Sequence, residues 1–462
     1  MTSATARRPA ATPLRLLLAL LVSATLALEP AAAQSVLRDA ETETFLQDIS
    51  APLAKSAGLS PGALRLVLIG DPEINAFVAT GQAIYIQSGT IEAADNANEI
   101  EGVIAHELGH VEGGGAENQV TAGANSATHI SLLSLLLGAA AIAAGAGEAG
   151  MAAMMAGQTA AQGKFLAYDR GVEGGADAAA VRHLNDAHLS GKGMISFFGK
   201  LRREEYRLTP SFTDVDPYGQ THPMTADRQQ SLMADLSKSP WWNAPIDPAK
   251  QARFLRIKAK LIGFMDDPDA VLRKFPESDH SVPADYARAY AWHRKGYPDK
   301  AVAEVDKLVA ASPHDPYFLE LKGQILLESG KPRDAIPPLR EAVRNSNNTP
   351  LIASLLGHAL VASEDPANLA EAQRVLKLAI ARDNENPDAW YNLGVVYAKS
   401  GDEPRASLAS AERYSMEGNP RLALVNAEMA LHGIPENTPD WLRAQDIAMI
   451  SRDAVQAKGK KR

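Results

Sequence analysis

Glu99-Ile100-Glu101-Gly102-Val103-Ile104-Ala105-His106-Glu107-Leu108-Gly109-His110-Val111 reads as one helix. Its apolar residues recur at helical spacing, and His106 and His110 stand four apart. In a helix, residues i and i+4 share a face, so both imidazoles can grip one metal ion. Glu107 lies about 100° further round, within reach of a metal-activated water as a general base. Two imidazoles do not complete a catalytic centre, and a third ligand must come from elsewhere in the chain. The sequence has no cysteine, so that ligand has to be His, Asp or Glu.

The next candidate pair is Glu173 and Asp177, again four apart on a predicted helix within Tyr168-Asp169-Arg170-Gly171-Val172-Glu173-Gly174-Gly175-Ala176-Asp177. Glu173 could ligate the metal, and Asp177 could accept the N–H of a ligating imidazole and so fix its tautomer. Spacing alone leaves a solvated acidic helix face equally open. Before the His-Glu helix come a strand over 63–69 and a hairpin-like pair, Asn75-Ala76-Phe77-Val78-Ala79 and Ala83-Ile84-Tyr85-Ile86, joined through Gly81-Gln82. Asn75, Ala76, Phe77 and Val78 are candidate substrate-binding residues, because an edge strand can take up an extended peptide as one more strand. An ordinary core strand is the alternative.

Composition bounds the rest. The chain has 462 residues, 46% apolar, enough for a substantial core and more than one domain. Lys plus Arg number 46 against 55 Asp plus Glu, a net charge of −9, which argues against nucleic acid as a partner. Arg7, Arg8 and Arg15 precede an apolar run from Leu16 to Leu28 and a small-residue exit at Ala31-Ala32-Ala33. These predict a signal peptide over 1–33, cleaved after Ala33, and a periplasmic protein. The 130–161 stretch is rich in Leu, Ala, Gly and Met but short and Gly-interrupted. It suggests a buried helical hairpin or a peripheral membrane contact rather than a span.

Further on, the chain changes character. Pro283, Pro316, Pro350, Pro387 and Pro420 recur 33 to 37 residues apart, each opening a helix–turn–helix unit. Trp390-Tyr391-Asn392-Leu393-Gly394-Val395-Val396-Tyr397 followed by Ala406 carries the tetratricopeptide pattern, and Leu319, Gly323, Leu326, Ala335, Leu339 and Ala342 repeat it. The third unit is stretched at Asp365-Pro366-Ala367-Asn368, placed in its inter-helix turn. Such repeats stack into a solenoid that binds polypeptides. Trp241-Trp242 reads as packing between the catalytic and repeat parts, and 458–462 as a solvated basic tail.

Taken together, His-Glu-x-x-His after a strand–Gly–strand hairpin and Arg170-x-x-Glu173-x-x-Ala176-Asp177 some 60 residues on resemble the gluzincin peptidases of the family of HtpX and the CAAX prenyl proteases. The resemblance implies His106, His110 and Glu173 as ligands of one zinc ion per chain and Glu107 as general base. Thr221-His222-Pro223 with Arg228 matches a further family segment. By resemblance, His222 could fill the fourth zinc position at rest, or His222 or Arg228 could stabilise the oxyanion; a loop histidine hydrogen-bonded near the site is the plainer reading. Asp169 and Gln229 depart from the residues usual in the family.

The expected fold is α+β, mainly helical, with a metalloprotease domain at 34–275 built on a small sheet and an α-solenoid of tetratricopeptide repeats at 276–462. A secreted member with such repeats implies a zinc endopeptidase acting on misfolded or stalled envelope proteins in outer-membrane protein quality control, its repeats holding clients or an assembly machine. The rival reading is a chaperone or adaptor with a masked or structural zinc. Glu107 divides the two, since a structural site needs no base.

Overall fold

The computed structural model describes residues 35–78, 82–114, 155, 171–208, 222 and 226–460. The expected signal peptide and, apart from Met155, the 130–161 stretch lie outside the described residues. Among those described, no helix is long and apolar enough to cross a membrane.

The chain opens with β1 (Ser35–Leu37) and α1 (Ala40–Ser56), followed by β2 (Arg65–Gly70), β3 (Ala76–Val78) and β4 (Ala83–Gln87). The four strands form one sheet in the order β1-β2-β4-β3. β1 is antiparallel to β2, β2 parallel to β4, and β3 antiparallel to β4, with Phe77 opposite Tyr85. The hairpin read from the sequence is therefore present, with β3 at the edge of the sheet.

A short helix, α2 (Ser88–Ala93), leads into α3 (Ala97–Glu112). Asn96 caps α3, its side chain accepting from the Glu99 N–H at 3.1 Å, while the Glu99 carboxylate accepts from the Asp95 N–H at 2.8 Å. This reciprocal cap satisfies backbone donors that a helix start leaves unpaired. Every residue of α3 from Ala97 to His110 is buried. It is the central helix, enclosed by the sheet, α1, a helix over 171–186 (α4), α5 (Lys192–Leu208) and α7 (Pro248–Met265), with α6 (Ala226–Leu236) packed beside α5. Phe45, Ile84, Ile100, Ile104, Phe197 and Phe254 are among the side chains that fill this core.

After α8 (Pro268–Lys274) the repeats run as helix pairs: α9 (Val282–Arg294) with α10 (Pro298–Ala311), α11 (Pro316–Glu328) with α12 (Pro332–Asn345), and α13 (Pro350–Ala362) with α14 (Leu369–Arg382). Two more follow, α15 (Pro387–Lys399) with α16 (Glu403–Met416) and α17 (Pro420–Gly433) with α18 (Pro439–Lys460). The recurring prolines all sit in the first turn of a helix, where the missing N–H costs no intrahelical bond. The stretch at 365–368 is a single 3-10 turn, Pro366–Asn368, between α13 and α14. Gly323 shows why a small residue is needed at its position, since a Cβ there would stand 2.3 Å from Leu339 on the paired helix.

α7 belongs to two cores at once. Its Phe254, Ile257 and Leu261 pack in the catalytic core, while Ala259 and Ile262 pack against Ala287 and Ala291 of α9. The start of α1 also reaches the repeats, where Ala40 is buried among their apolar residues. Glu41 is buried there, accepting from Tyr286 Oη at 2.7 Å and from Arg256, whose guanidinium also lies 2.7 Å from Asp315. Lys260 pairs with Asp39, and Arg38 with Asp383 at 2.8 Å. Trp241 and Trp242 take no part in this junction, correcting the sequence reading. Trp241 stacks on His188 at 4.0 Å between ring centroids, and Trp242 packs on the catalytic core beside Lys192. Two adjacent aromatics declare burial but not a partner, and here the nearest apolar surface is the domain's own.

Candidate metal centre

The central position of α3 makes its motif a buried one. His106 and Glu107 are fully buried and His110 nearly so. α4 crosses α3 and delivers Glu173 and Asp177, both buried, and His222 arrives from the segment before α6. His106, His110, Glu173 and His222 each offer one ligand atom, and these atoms lie within 4.8 Å of one another.

The separations suit a metal. His106 Nε2 lies 3.2 Å from His110 Nε2, 3.4 Å from His222 Nδ1 and 3.4 Å from Glu173 Oε2. Glu173 Oε1 lies 3.3 Å from His110 Nε2 and 3.0 Å from His222 Nδ1. Four ligands at about 2.0–2.1 Å in a tetrahedron are separated by roughly 3.3 Å along each edge. The cluster has those edges. Three imidazoles and a carboxylate are also the donor types that suit first-row divalent ions.

A layer of charge stands behind the ligands. Asp177 Oδ1 lies 3.1 Å from His106 Nδ1, on the side of the ring away from the cluster. Arg228 donates from Nε to Asp177 Oδ2 at 2.8 Å and from Nη2 to Oδ1 at 2.9 Å, and its Nη1 lies 2.8 Å from Glu173 Oε2. The guanidinium fork thus spans both carboxylates, a bidentate geometry lysine could not supply. The Phe198 ring packs edge-on against His106, centroids 5.4 Å apart. Burial opposes a charge on His106, but Asp177 and Glu173 outweigh it and raise its pKa to about 10. Burial likewise works against ionised Glu173, yet His106, His110 and His222 hold its carboxyl well below the usual range. Asp177 is held below its usual value by His106 and Arg228 against the same penalty. A field that favours a proton on buried imidazole favours a cation in the same place.

Glu107 stands apart from the ligand set. Both its oxygens are buried and accept no hydrogen bond among the described residues, and Oε1 lies 3.7 Å from His222 Nε2. A carboxylate kept out of water next to a metal site costs stability unless the site uses it. It could serve there as a base.

The structure therefore brings together His106, Glu107, His110, Glu173, Asp177, His222 and Arg228 as one constellation. Asn75, Ala76 and Val78 are buried and Phe77 is half-buried, stacked on Tyr85 at 5.2 Å, on the edge strand that packs against α3. Phe198 was not anticipated; it stands in an unremarkable apolar helix pattern, which gives no sign that its ring meets a ligand. Nor was the contact of His183, on α4, with Glu112 of α3 at 3.1 Å and Ser56 of α1 at 2.8 Å, which ties three helices together beside the centre.

Comparison with known proteins accords with this geometry. The family model for peptidase family M48 matches residues 40–235, which span every residue of the cluster. This part of the chain is an M48 peptidase domain. Tetratricopeptide repeat models match 286–350 and 354–415. With its His/Glu cluster, the chain is a metallopeptidase of the M48 type carrying C-terminal repeats. It is similar to the beta-barrel assembly-enhancing protease of Yersinia pestis, 23% identical over 384 residues that cover 81% of this chain and 76% of that protein. The protein of that name from Escherichia coli strain K12 is likewise 23% identical, covering 81% of this chain and 75% of its own. The crystal structure of MamA is 25% identical with a TM-score of 0.29, covering 37% of this chain and 96% of that one.

Proposed function

We propose that the protein is an exported, periplasmic zinc endopeptidase that cleaves misfolded or stalled envelope proteins, with residues 34–275 as its catalytic part and 276–462 as the part that holds clients or an assembly machine. The observation that carries this reading is the buried, unpartnered Glu107 carboxylate beside three imidazoles and a carboxylate at tetrahedral separations. Zinc fits that donor set, held by His106, His110 and Glu173, and when bound it supplies a Lewis acid for the scissile carbonyl and lowers the pKa of water. Glu107 takes the proton from the attacking water and returns it to the leaving amine. Asp177 fixes the His106 tautomer, and Arg228 holds the Glu173–Asp177 pair in register. The edge strand Asn75–Val78 takes the substrate in extended form. The printed name of the relatives, beta-barrel assembly-enhancing protease, supports a role in outer-membrane protein assembly, and repeats of this type present concave surfaces for polypeptides.

A second reading has an observation of its own. His222 Nδ1 lies 3.0 Å from Glu173 Oε1 and 3.4 Å from His106 Nε2, where it would occupy the fourth position around an ion. This supports a resting form in which the site is masked and the repeats act as chaperone or adaptor. One experiment separates the two. Hydrolysis of an unfolded model protein by the purified chain, lowered about 10²–10⁴-fold in Glu107→Gln with zinc retained, supports the endopeptidase. A zinc-loaded parent that cleaves nothing, even as His222→Ala, supports the adaptor.

A further inference from the structure

α3 meets its neighbours at two glycines, seven residues and so about two turns apart. A Cβ built on Gly102 would stand 2.6 Å from Met194 Cα of α5. One built on Gly109 would stand 2.7 Å from Ala176 O, 2.8 Å from Ala176 Cα and 3.0 Å from Ala179 Cβ, all on α4. The first two of these atoms are backbone, so no rotamer change relieves them. Ala176 lies between Glu173 and Asp177, one turn after the former and directly before the latter. The crossing point of the two helices is therefore set within the stretch that carries both acidic groups.

We infer that Gly109 is a positioning residue for the metal centre: its missing side chain lets α4 approach α3 closely enough for Glu173 to complete the donor set of His106 and His110. This rests on the reading of the cluster as a metal site. A carbon–oxygen contact becomes ordinary at about 3.4 Å, so a methyl group at Gly109 requires α4 to retreat by about 0.7 Å. Metal–ligand distances tolerate only about ±0.2 Å. The retreat carries Glu173 out of bonding range of an ion held by the two α3 imidazoles. It also draws Asp177 away from His106. The same methyl at Gly102 presses on α5, which carries no donor of the cluster, so an equal backbone clash leaves the ligands in place.

The test measures zinc affinity on the full chain by competition with a chromophoric chelator, together with the visible spectrum of the cobalt-loaded protein and the apo thermal midpoint. Gly109→Ala is expected to weaken zinc binding at least tenfold, in the range seen when groups supporting a metal site are lost, and to alter the cobalt spectrum. Gly102→Ala is expected to lower the apo midpoint comparably while keeping zinc affinity within about twofold of the parent. Should Gly109→Ala fail to fold, Ala179→Ser adds a single atom to the Cβ that faces Gly109 and is expected to shift affinity in the same direction. Unchanged affinity in Gly109→Ala, or in Ala179→Ser where it stands in, overturns the inference, as does an equal loss in Gly102→Ala. A parent that binds no zinc overturns the metal reading itself, and this inference with it.

Discussion

Asp177→Asn isolates the layer behind the ligands. Asp177 Oδ1 faces both His106 Nδ1 at 3.1 Å and Arg228 Nη2 at 2.9 Å, while Oδ2 accepts from Arg228 Nε at 2.8 Å. An amide keeps the shape but has only one acceptor. With its oxygen in the Oδ1 place, its NH2 meets the Arg228 Nε–H donor to donor. Flipped, it meets His106 and Arg228 Nη2 in the same way. The better arrangement forfeits one hydrogen bond to a charged group, about 1.5–3 kcal/mol, in a site nearly closed to water. Much of that loss falls on the orientation of His106, so zinc affinity drops roughly 10–100-fold. Chelator competition at fixed pH measures it, and Glu112→Gln, on the same helix but in contact with His183 rather than the cluster, is expected to match the parent. An Asp177→Asn protein that binds zinc as tightly as the parent would refute the assignment of Asp177 to His106.

Two further outcomes follow from particular contacts. Replacing His222 with Ala removes the contacts at 3.0 and 3.4 Å to Glu173 and His106. Peptide hydrolysis is then expected to rise by about tenfold, the equivalent of releasing a resting contact worth ~1.4 kcal/mol, with zinc retained; unchanged or lower turnover excludes masking. At the junction, burial and the nearby Asp39, Glu41 and Glu43 push the Glu320 carboxyl up to about 8, against the pull of Lys260. A carboxyl whose pKa is raised by folding holds its proton in the native state, so its contribution to stability is complete below about pH 4.5 and fades as pH rises to 8. Glu320→Gln keeps a neutral group there, and its thermal midpoint is expected to exceed the parent's above pH 8. A parent-minus-variant difference that does not change between pH 5 and 9 counts against this protonation.

The parts of this protein that local chemistry specifies are the parts the sequence reveals. Each repeat is opened by a first-turn proline and closed by a small-residue contact within some 33 residues, so its physics is contained in a short window. The same holds for His106, Glu107 and His110, whose shared face follows from helix pitch alone, and for the hairpin of β3 and β4. Asp177 and Glu173 show the limit. Four-residue spacing placed them on one face but left that face as open to solvent as to metal. The choice was made by α4 crossing α3 at Gly109, a contact between residues 67 positions apart that no periodicity encodes.

What the tertiary structure alone decided is consistently long-range. Arg228 could be read from sequence as an oxyanion donor; in the fold its fork is spent on Asp177 and Glu173, leaving it to hold the acidic pair. Trp241 and Trp242 turned inward to their own domain, and the junction fell instead to α7, Ala40 and a buried set of charges around Glu41 and Lys260. Sequence fixes which residues can bind a metal, start a helix or stack in a repeat, because those properties belong to the residue and its near neighbours. Which of them meet is a matter of packing, and packing depends on where distant segments exclude one another's volume.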